Sequence, residues 1–271
     1  MNIEKDKIAI VTTVGNFDLY NRTINFFPTG IKIYMVDGTK GFYGIRSLLF
    51  FIEKLKNSGI DWLIMADEDV VFKKPEYVFD LISYMKANSF TTCGMRDGGT
   101  LQWRGENPYS INTFFSILNL KEISSIYNRK KILANQYIDK TENLGALNCL
   151  NSDNYKTESL FEPYYCFYFW LLRNNKKILY LDVSSPNKDE TTLVLDHEGR
   201  ELLYHAWYSR FYNIEHRHTA RINKVLKFGI NPSTEKRKPI LLKNPLFNFK
   251  LIFYTFFQRL KRFFIKRSKK K

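Results

Sequence analysis

Short apolar runs alternate with segments of helical periodicity over the first 72 residues, and this alternation restricts the possible folds more than any other feature. Residues 7–16 and 31–39 each predict a buried strand, the first ending at Gly15 and the second at the Asp37–Gly38 pair. Residues 43–57 place apolar side chains at helical intervals, and residues 60–72 form a third apolar run. Strands that alternate with helices predict an α/β fold with a mixed, mainly parallel, Rossmann-like sheet flanked by helices.

The pattern continues less regularly after residue 72. A very aromatic helix is predicted at 162–174, with Pro163 in its first turn, and a strand is predicted at 177–183. Residues 101–127 are loop-rich and contain two short strands or helices. The other predicted elements are helices at 17–27, 75–87 and 214–228 and a strand at 90–95.

Three adjacent carboxylates interrupt the third apolar run. Asp67, Glu68 and Asp69 follow the apolar residues 62–66 directly, and buried charge is unfavourable unless it is paired or holds a metal. In an extended chain Asp67 and Asp69 would project to one side and Glu68 to the other. Two hard oxygen ligands at this spacing suit Mn²⁺ or Mg²⁺, which would in turn bridge a diphosphate. A solvated, acid-rich turn is the alternative.

The positive charge of the chain is concentrated at its C-terminal end. Of the 42 Lys and Arg residues, 13 lie in residues 236–271, which contain no Asp or Glu, so residues 1–235 carry 29 basic and 27 acidic side chains. This nearly neutral body argues against a nucleic-acid partner, which requires a basic face on the folded domain. The three cysteines have no disulfide-like spacing, and the N-terminus is unlike a signal peptide, so we expect a cytoplasmic protein.

Residues 244–271 predict a basic amphipathic helix. Its apolar face is rich in phenylalanine at helical spacing, and its other face carries positive charge. This combination is typical of a helix that lies on an anionic membrane surface, although a helix packed on its own domain and an RNA-binding helix are alternatives. The residues expected at the membrane are Phe249, Phe253, Phe256, Leu260, Arg262, Phe263 and Lys266.

The residues at 8–15, 36–39 and 62–72 resemble the GT-A fold glycosyltransferases, specifically the bacterial, family-2-like enzymes that contain a DxD motif. In this family a nucleotide-binding βαβ half ends in a strand followed by two acids. The resemblance implies a glycosyltransferase domain at 1–235, with a nucleotide-binding half at 1–100 and an acceptor half at 101–235. The basic amphipathic tail then spans residues 236–271.

The resemblance also implies roles for individual residues. Family members place the nucleotide between the end of the first strand and an acid after the second, and a basic residue on the following helix often reaches it. A late histidine often completes the metal site beside the DxD acids. The implied donor-binding residues are Thr12, Thr13, Val14, Asp37, Arg46, Asp67 and Glu68, and the implied metal ligands are Asp67, Asp69 and His205. A core histidine is the alternative for His205.

Glu162 stands at the head of the aromatic helix, where many inverting family members carry the base that deprotonates the acceptor. Glu158 and Asp153 are the fallback candidates for this base. An acid that only complements the helix dipole is the alternative, and a retaining enzyme needs no such base. Arg96 and Asp97 precede two glycines that permit close backbone approach. With Trp103 they are candidate acceptor-binding residues, and a tight turn with a packed tryptophan is the alternative.

Taken together, these features predict a metal-dependent glycosyltransferase. The expected donor is a UDP- or GDP-linked sugar, and the expected acceptor is a lipid-linked or lipopolysaccharide-type glycan in surface polysaccharide biosynthesis. The expected location is cytoplasmic, on the inner face of the cell membrane. The alternatives are a nucleotidyltransferase or other metal-dependent phosphoryl-transfer enzyme, which should carry a Gly-rich basic loop after the first strand, and a non-catalytic membrane-surface protein.

Overall fold

Two β-sheets and seven α-helices make up the part of the chain described by the computed structural model, which covers residues 3–97, 106–145, 147, 155–187, 189–230, 232–233, 237–247 and 249. Three 3₁₀ turns occur at Lys5–Lys7, Ile24–Phe26 and Ser209–Phe211. The elements in chain order are β1 (Ile8–Val14), α1 (Phe17–Thr23), β2 (Lys32–Asp37), α2 (Ile45–Leu55), β3 (Trp62–Ala66), β4 (Val70–Phe72), α3 (Tyr77–Ala87), β5 (Phe90–Gly94), β6 (Phe115–Asn119), α4 (Leu120–Ile126), α5 (Arg129–Leu133), α6 (Tyr165–Arg173), β7 (Lys177–Tyr180), β8 (Val183–Ser184), β9 (Thr192–Leu195), β10 (Glu201–His205), α7 (His216–Val225) and β11 (Ile240–Leu241).

The larger sheet has seven strands in the order β11-β2-β1-β3-β6-β5-β7. Every pair in it is parallel except the two that β6 makes, because β6 runs antiparallel to both β3 and β5. The sequence therefore predicted a mixed, mainly parallel sheet correctly. The antiparallel strand β6 lies in the region expected to be loop-rich.

Helices cover both faces of this sheet because its strands bury side chains on both sides. Ala9 and Val11 of β1 pack with α2, α4, α5 and α6, whereas Ile8, Ile10 and Val14 pack with α1 and α3. Period-two alternation sends neighbouring β1 side chains to opposite cores. Both cores need apolar residues, which explains the continuous apolar run in this strand.

The smaller sheet is antiparallel, in the order β4-β10-β9-β8. Val70 and Phe72 of β4 face the larger sheet, and Val71 faces α7 on the outer side. The prediction of one continuous strand over residues 60–72 is therefore wrong. Its first part is β3 of the large sheet and its last part is β4 of the small one, and residues 67–69 form the turn between them.

The folded body extends beyond the predicted boundary at residue 236, because the first part of the C-terminal segment packs on it. Ile240 and Leu241 pair with β2, and the Leu242 N–H donates to the Met35 carbonyl at 2.8 Å. The ring of Phe247 lies 4.7 Å from that of Phe42. The folded body therefore extends at least to Phe247. Residues 250–271, which carry most of the predicted amphipathic helix, lie outside the described ranges, and within those ranges no helix is long and apolar enough to cross a bilayer.

Candidate functional site

A cavity of about 810 Å³ opens at the carboxyl ends of β1, β2 and β3. This is the edge of an open α/β sheet at which ligands usually bind. The cavity is lined by Thr13 and Gly15 after β1, by residues between Gly38 and Ser47 after β2, by Met65, Asp67 and Glu68 of the acid turn, by Asn112 and Thr113, by Glu162 and Tyr164, and by Ser209 and Arg210.

The acid turn is held in place by its backbone neighbours. Oε1 of Glu68 accepts hydrogen bonds from the backbone N–H groups of Gly15 at 3.0 Å and Asn16 at 3.1 Å. The Glu68 carbonyl accepts from the Thr23 hydroxyl at 2.9 Å, and the Asp67 N–H donates to the Phe114 carbonyl at 2.8 Å. These bonds fix the carboxylates of Asp67 and Glu68 in the cavity wall.

The electrostatics of the turn show accumulated negative charge. Burial raises the pKa of Asp67 well above its ordinary value, the carboxylates of Glu68 and Asp69 raise it further, and the Arg210 guanidinium opposes them. Burial, reinforced by Asp69, raises the pKa of Glu68 to about 7. Such a site favours either protons or a bound cation.

Asp69 points away from the cavity that Asp67 and Glu68 line. Its Oδ1 lies 3.1 Å from Nε2 of His205, and both side chains are buried. The imidazole stacks against the Phe114 ring at 3.9 Å and lies 4.3 Å from the Trp207 ring. The expectation that Asp67 and Asp69 share one side is wrong, because the chain turns at residues 67–69 and the Val70 N–H returns to the Asp67 carbonyl at 3.2 Å.

The predicted metal ligands are therefore only partly brought together. Asp69 and His205 are neighbours, as expected, while Asp67 lies in the same turn on the cavity side. Within the described ranges, no three Asp, Glu, His or Cys side chains are grouped so that they could hold a metal ion. Metal binding at Asp67, Asp69 and His205 stays a prediction.

The segment after β10 supplies cavity residues that the sequence did not predict. Trp207 and Tyr208 both have φ of 60°, which is uncommon for non-glycine residues and bends the chain towards the cavity. From behind, Arg221 donates to the Ala206 and Trp207 carbonyls at 3.1 Å each. This bend delivers Ser209 and Arg210 to the cavity wall.

Asn16 connects this segment to the rest of the site. Its side chain accepts from the Leu19 N–H at 3.0 Å and so caps α1, while its amide donates to the carbonyls of Ser209 at 3.1 Å and Tyr212 at 3.2 Å. Arg210 extends across the cavity, and its guanidinium lies 4.6 Å from the centre of the exposed Tyr43 ring.

Glu162 and Tyr164 form the wall that precedes α6. Glu162 is half-buried, and its carbonyl accepts from the Gln136 side chain at 3.0 Å. The helix begins at Tyr165 rather than at residue 162, so Glu162 and Pro163 lie in the turn before it. Glu162 thus reaches the cavity as predicted, but from a turn.

Arg96 and Asp97 lie outside the lining of this cavity, contrary to the predicted acceptor contacts. The Arg96 guanidinium stacks 3.6 Å from the centre of the Tyr180 ring. Asp97 is fully buried and accepts hydrogen bonds from the Tyr165 hydroxyl and from the Asn112 amide, the latter at 2.5 Å. Asp97 therefore orients Asn112, which does line the cavity.

The predicted donor-binding residues divide by strand geometry. Thr13 lines the cavity, whereas the side chains of Thr12 and Val14 are buried outside its lining, because alternate residues of β1 face opposite sides. Asp37 is exposed, accepts from the Thr39 N–H at 2.9 Å and borders a second cavity. Arg46 is exposed in the first turn of α2, outside the lining.

The remaining predicted residues concern the acceptor and the membrane. Phe249 is 57% exposed. The others, Trp103, Asp153, Phe253, Phe256, Leu260, Arg262, Phe263 and Lys266, lie outside the described residues.

No protein-family model matches this chain, and no curated protein matches it. The glycosyltransferase GlyE from Streptococcus pneumoniae TIGR4 is similar in structure over 48% of this chain, at 12% identity and a TM-score of 0.32, and this chain spans 38% of that protein. A197 from STIV is similar over 72% of this chain and 92% of its own, at 13% identity and a TM-score of 0.38. Both structural similarities are weak.

Proposed function

We propose that this protein is a metal-dependent glycosyltransferase that moves a sugar from a nucleotide-sugar donor to a membrane-linked glycan or lipid. The cavity at the carboxyl ends of β1–β3 carries this proposal. Its volume of about 810 Å³ lies within the usual range of ligand pockets, roughly 300–1,000 Å³. Acidic groups occupy two separate walls, at Asp67 with Glu68 and at Glu162, and Arg210 crosses towards Tyr43.

The charge of the acid turn favours a divalent cation. Burial raises the pKa of Asp67, and the adjacent carboxylates raise it further, so a cation would offset charge that the fold leaves under-compensated. Asp67 would hold the ion from the cavity side, and Asp69 and His205 would have to turn from their mutual contact towards the cavity to complete its ligands. Bound Mn²⁺ or Mg²⁺ would neutralise the developing charge on the diphosphate leaving group.

Other cavity residues have complementary chemistry. Thr13 and the loop after β2 offer hydroxyl and backbone groups to a nucleotide, and Tyr43 offers an exposed ring for stacking. The Arg210 guanidinium suits a diphosphate. Glu162, on the opposite wall, is placed to deprotonate an acceptor hydroxyl if transfer inverts the anomeric centre.

The acceptor is proposed from the C-terminal segment. Residues 236–271 carry 13 basic and no acidic side chains, together with the phenylalanine-rich stripe that includes Phe253, Phe256 and Phe263. Basic residues near an anionic leaflet each contribute about 1 kcal/mol to binding. A protein held in this way on the cytoplasmic face of the membrane suits an acceptor of the lipid-linked or lipopolysaccharide type.

Calorimetric titration of UDP- and GDP-linked sugars with Mn²⁺ tests the proposal. The Asp67→Asn variant should bind the donor at least tenfold more weakly than the wild type. Its donor affinity should also depend at least tenfold less on Mn²⁺. The matched control is Asp61→Asn, one residue before β3 and at the end of that strand away from the cavity. Equal donor affinities in the two variants would contradict the metal site, and release of a sugar 1-phosphate instead of a nucleoside diphosphate would favour nucleotidyl transfer.

A further inference from the structure

A second cavity, of about 310 Å³, lies beside the first at the end of β2. The loop after β2 borders both cavities. Gly38, Thr39, Gly41 and Tyr43 line the first cavity, whereas Lys40 and Phe42 line the second. One loop therefore separates the candidate active site from a neighbouring space that has a different lining.

The second cavity is mainly apolar and exists because the C-terminal segment docks on β2. Val36 and Phe42 form one side, and Leu241, Leu242 and Phe247 form the other. Two exposed basic residues also line it, Lys40 on the loop after β2 and Lys243 on the C-terminal segment. Asp37 also lines this cavity, and its carboxylate accepts from the N–H and the hydroxyl of Thr39, at 2.9 and 2.5 Å.

The segment that builds this cavity also exposes large apolar side chains. Ile240 is 50% exposed, Leu241 43%, Leu246 62% and Phe249 57%. Single exposed apolar residues are ordinary, but four within ten residues, next to a cavity with apolar walls, indicate a surface that contacts another apolar phase. The same stretch of chain, residues 236–271, carries 13 basic side chains and no acidic one.

We propose that the second cavity binds one hydrocarbon chain of an anionic membrane lipid, with the lipid phosphate held between Lys40 and Lys243. The apolar walls remove the hydrocarbon from water, and the two ammonium groups attract the phosphate. The exposed apolar residues from Ile240 to Phe249 extend this contact into the bilayer surface. The lipid-binding edge then lies one loop away from the larger cavity.

This inference goes beyond the proposed sugar transfer and does not depend on it. It assigns a lipid to a site on the folded body, in addition to the membrane contact proposed for the tail. A bilayer bound at this edge would place the mouth formed by residues 38–44 beside the lipid headgroups. A membrane-linked acceptor would be presented at that position.

Calorimetric titration of the full chain with dihexanoyl phosphatidylglycerol, kept below its micelle concentration, tests the site. We expect saturable binding at one site, and at least tenfold weaker binding of the zwitterionic dihexanoyl phosphatidylcholine. The Lys40→Glu, Lys243→Glu double variant should lose at least tenfold, against a Lys130→Glu, Lys131→Glu control on the exposed face of α5. The Leu241→Asp variant should also lose at least tenfold, whereas Leu133→Asp should bind normally, because Leu133 is similarly exposed at 45%.

Donor binding at the larger cavity, measured on the same samples, reports whether each variant is folded, and thermal melting reports it independently of donor binding. If the variants melt like the wild type and neither they nor the wild type bind donor, the proposed sugar transfer is contradicted but the lipid site is not. Absence of saturable lipid binding by the full chain overturns the inference. So does equal affinity in Leu241→Asp and Leu133→Asp, or in the two lysine double variants. A lipid-independent dimer that Leu241→Asp dissociates would assign the surface to a second copy of the chain and would also overturn it.

Discussion

The Glu68 carboxylate accepts a hydrogen bond from the Gly15 backbone N–H at 3.0 Å, and this contact joins the acid turn to the end of β1. The approach is close, since a Cβ on Gly15 would lie 2.9 Å from Oε1 of Glu68. The middle acid of the triplet is therefore the one that attaches the turn to the central strand. Asp67 keeps its carboxylate in the cavity as a result.

The raised pKa of Glu68 predicts a pH-dependent stability. Burial raises this pKa from 4.5 to about 7, so the folded protein binds the proton more tightly than the unfolded chain does. The contribution is fully present below pH 4.5 and is lost as the pH rises to about 7. We expect the free energy of unfolding of metal-free protein to fall by about 3 kcal/mol over this window.

Urea unfolding of wild type and Glu68→Gln at several pH values measures this effect. Glutamine keeps an oxygen that can accept from Gly15 and Asn16 but does not titrate, so its stability should depend less on pH. The raised pKa of Asp67 has the same sign and should leave a residual slope. Parallel pH profiles for the two proteins would assign the titration to another group.

The sequence predicted the acid turn but not its geometry. Local periodicity identifies apolar strands, and residues 60–72 are apolar on both sides of the acids, so nothing local showed that β3 and β4 belong to different sheets. The partner of β4 is β10, which lies about 130 residues later in the chain. Long-range pairing of this kind leaves no periodic signal. Arg210 was missed for the same reason, because it reaches the cavity only through the bend at Trp207 and Tyr208.

Arg221 holds that bend from behind, so its removal should loosen Arg210. Arg221 pairs with Glu190 and donates to two carbonyls of the bend, and its side chain is 6% exposed. We expect Arg221→Met to lower the free energy of unfolding by about 2–4 kcal/mol, because the Ala206 and Trp207 carbonyls lose their donor. Arg217 also pairs with Glu190, but its side chain is 76% exposed.

The Arg217→Met variant is therefore the matched control, and its cost should stay below about 1 kcal/mol. Chemical denaturation gives both values, and donor titration shows whether Arg221→Met also weakens nucleotide-sugar binding. Equal destabilisation by the two variants would mean that the carbonyl contacts to Ala206 and Trp207 contribute nothing.

Asp97 and Asp37, both predicted as ligand-binding acids, should respond differently to neutralisation. Asp97 is fully buried, and its two carboxylate oxygens accept hydrogen bonds from the Tyr165 hydroxyl and the Asn112 amide. An asparagine at this position would replace one of these acceptor oxygens with an NH₂ group, which would face a group that also donates. We expect Asp97→Asn to destabilise the protein by about 1–3 kcal/mol. Exposed Asp37→Asn should change thermal stability little. If Asp37→Asn destabilised the protein more than Asp97→Asn, the hydrogen bonds that Asp97 accepts from Tyr165 and Asn112 would contribute little to stability.

Glu162 is the candidate base, and Glu162→Gln should separate catalysis from binding. Loss of a general base lowers turnover by about 10²–10⁴-fold, whereas donor affinity should stay within about threefold, because a base that acts on the acceptor contributes little to donor binding. Glu158→Gln is the control, since its side chain is 66% exposed and pairs with Lys140 at the surface. Full turnover in Glu162→Gln would indicate transfer with retention, which needs no base at this position.

Two truncations distinguish the membrane role of the tail from its structural role. A chain that ends at Phe249 lacks nine of the 13 basic residues of the segment but keeps β11 and the contact between Phe247 and Phe42. We expect it to bind phosphatidylglycerol vesicles more weakly than the full chain in a sedimentation assay, because it keeps only the lipid site on the folded body, to melt like the full chain and to bind donor normally. A chain that ends at residue 239 also loses that strand and ring contact, and its stability should fall by about 2 kcal/mol. If the chain that ends at residue 239 melts like the chain that ends at Phe249, residues 240–249 add no stability. If the chain that ends at Phe249 binds the vesicles as tightly as the full chain, residues 250–271 contribute nothing to the membrane contact.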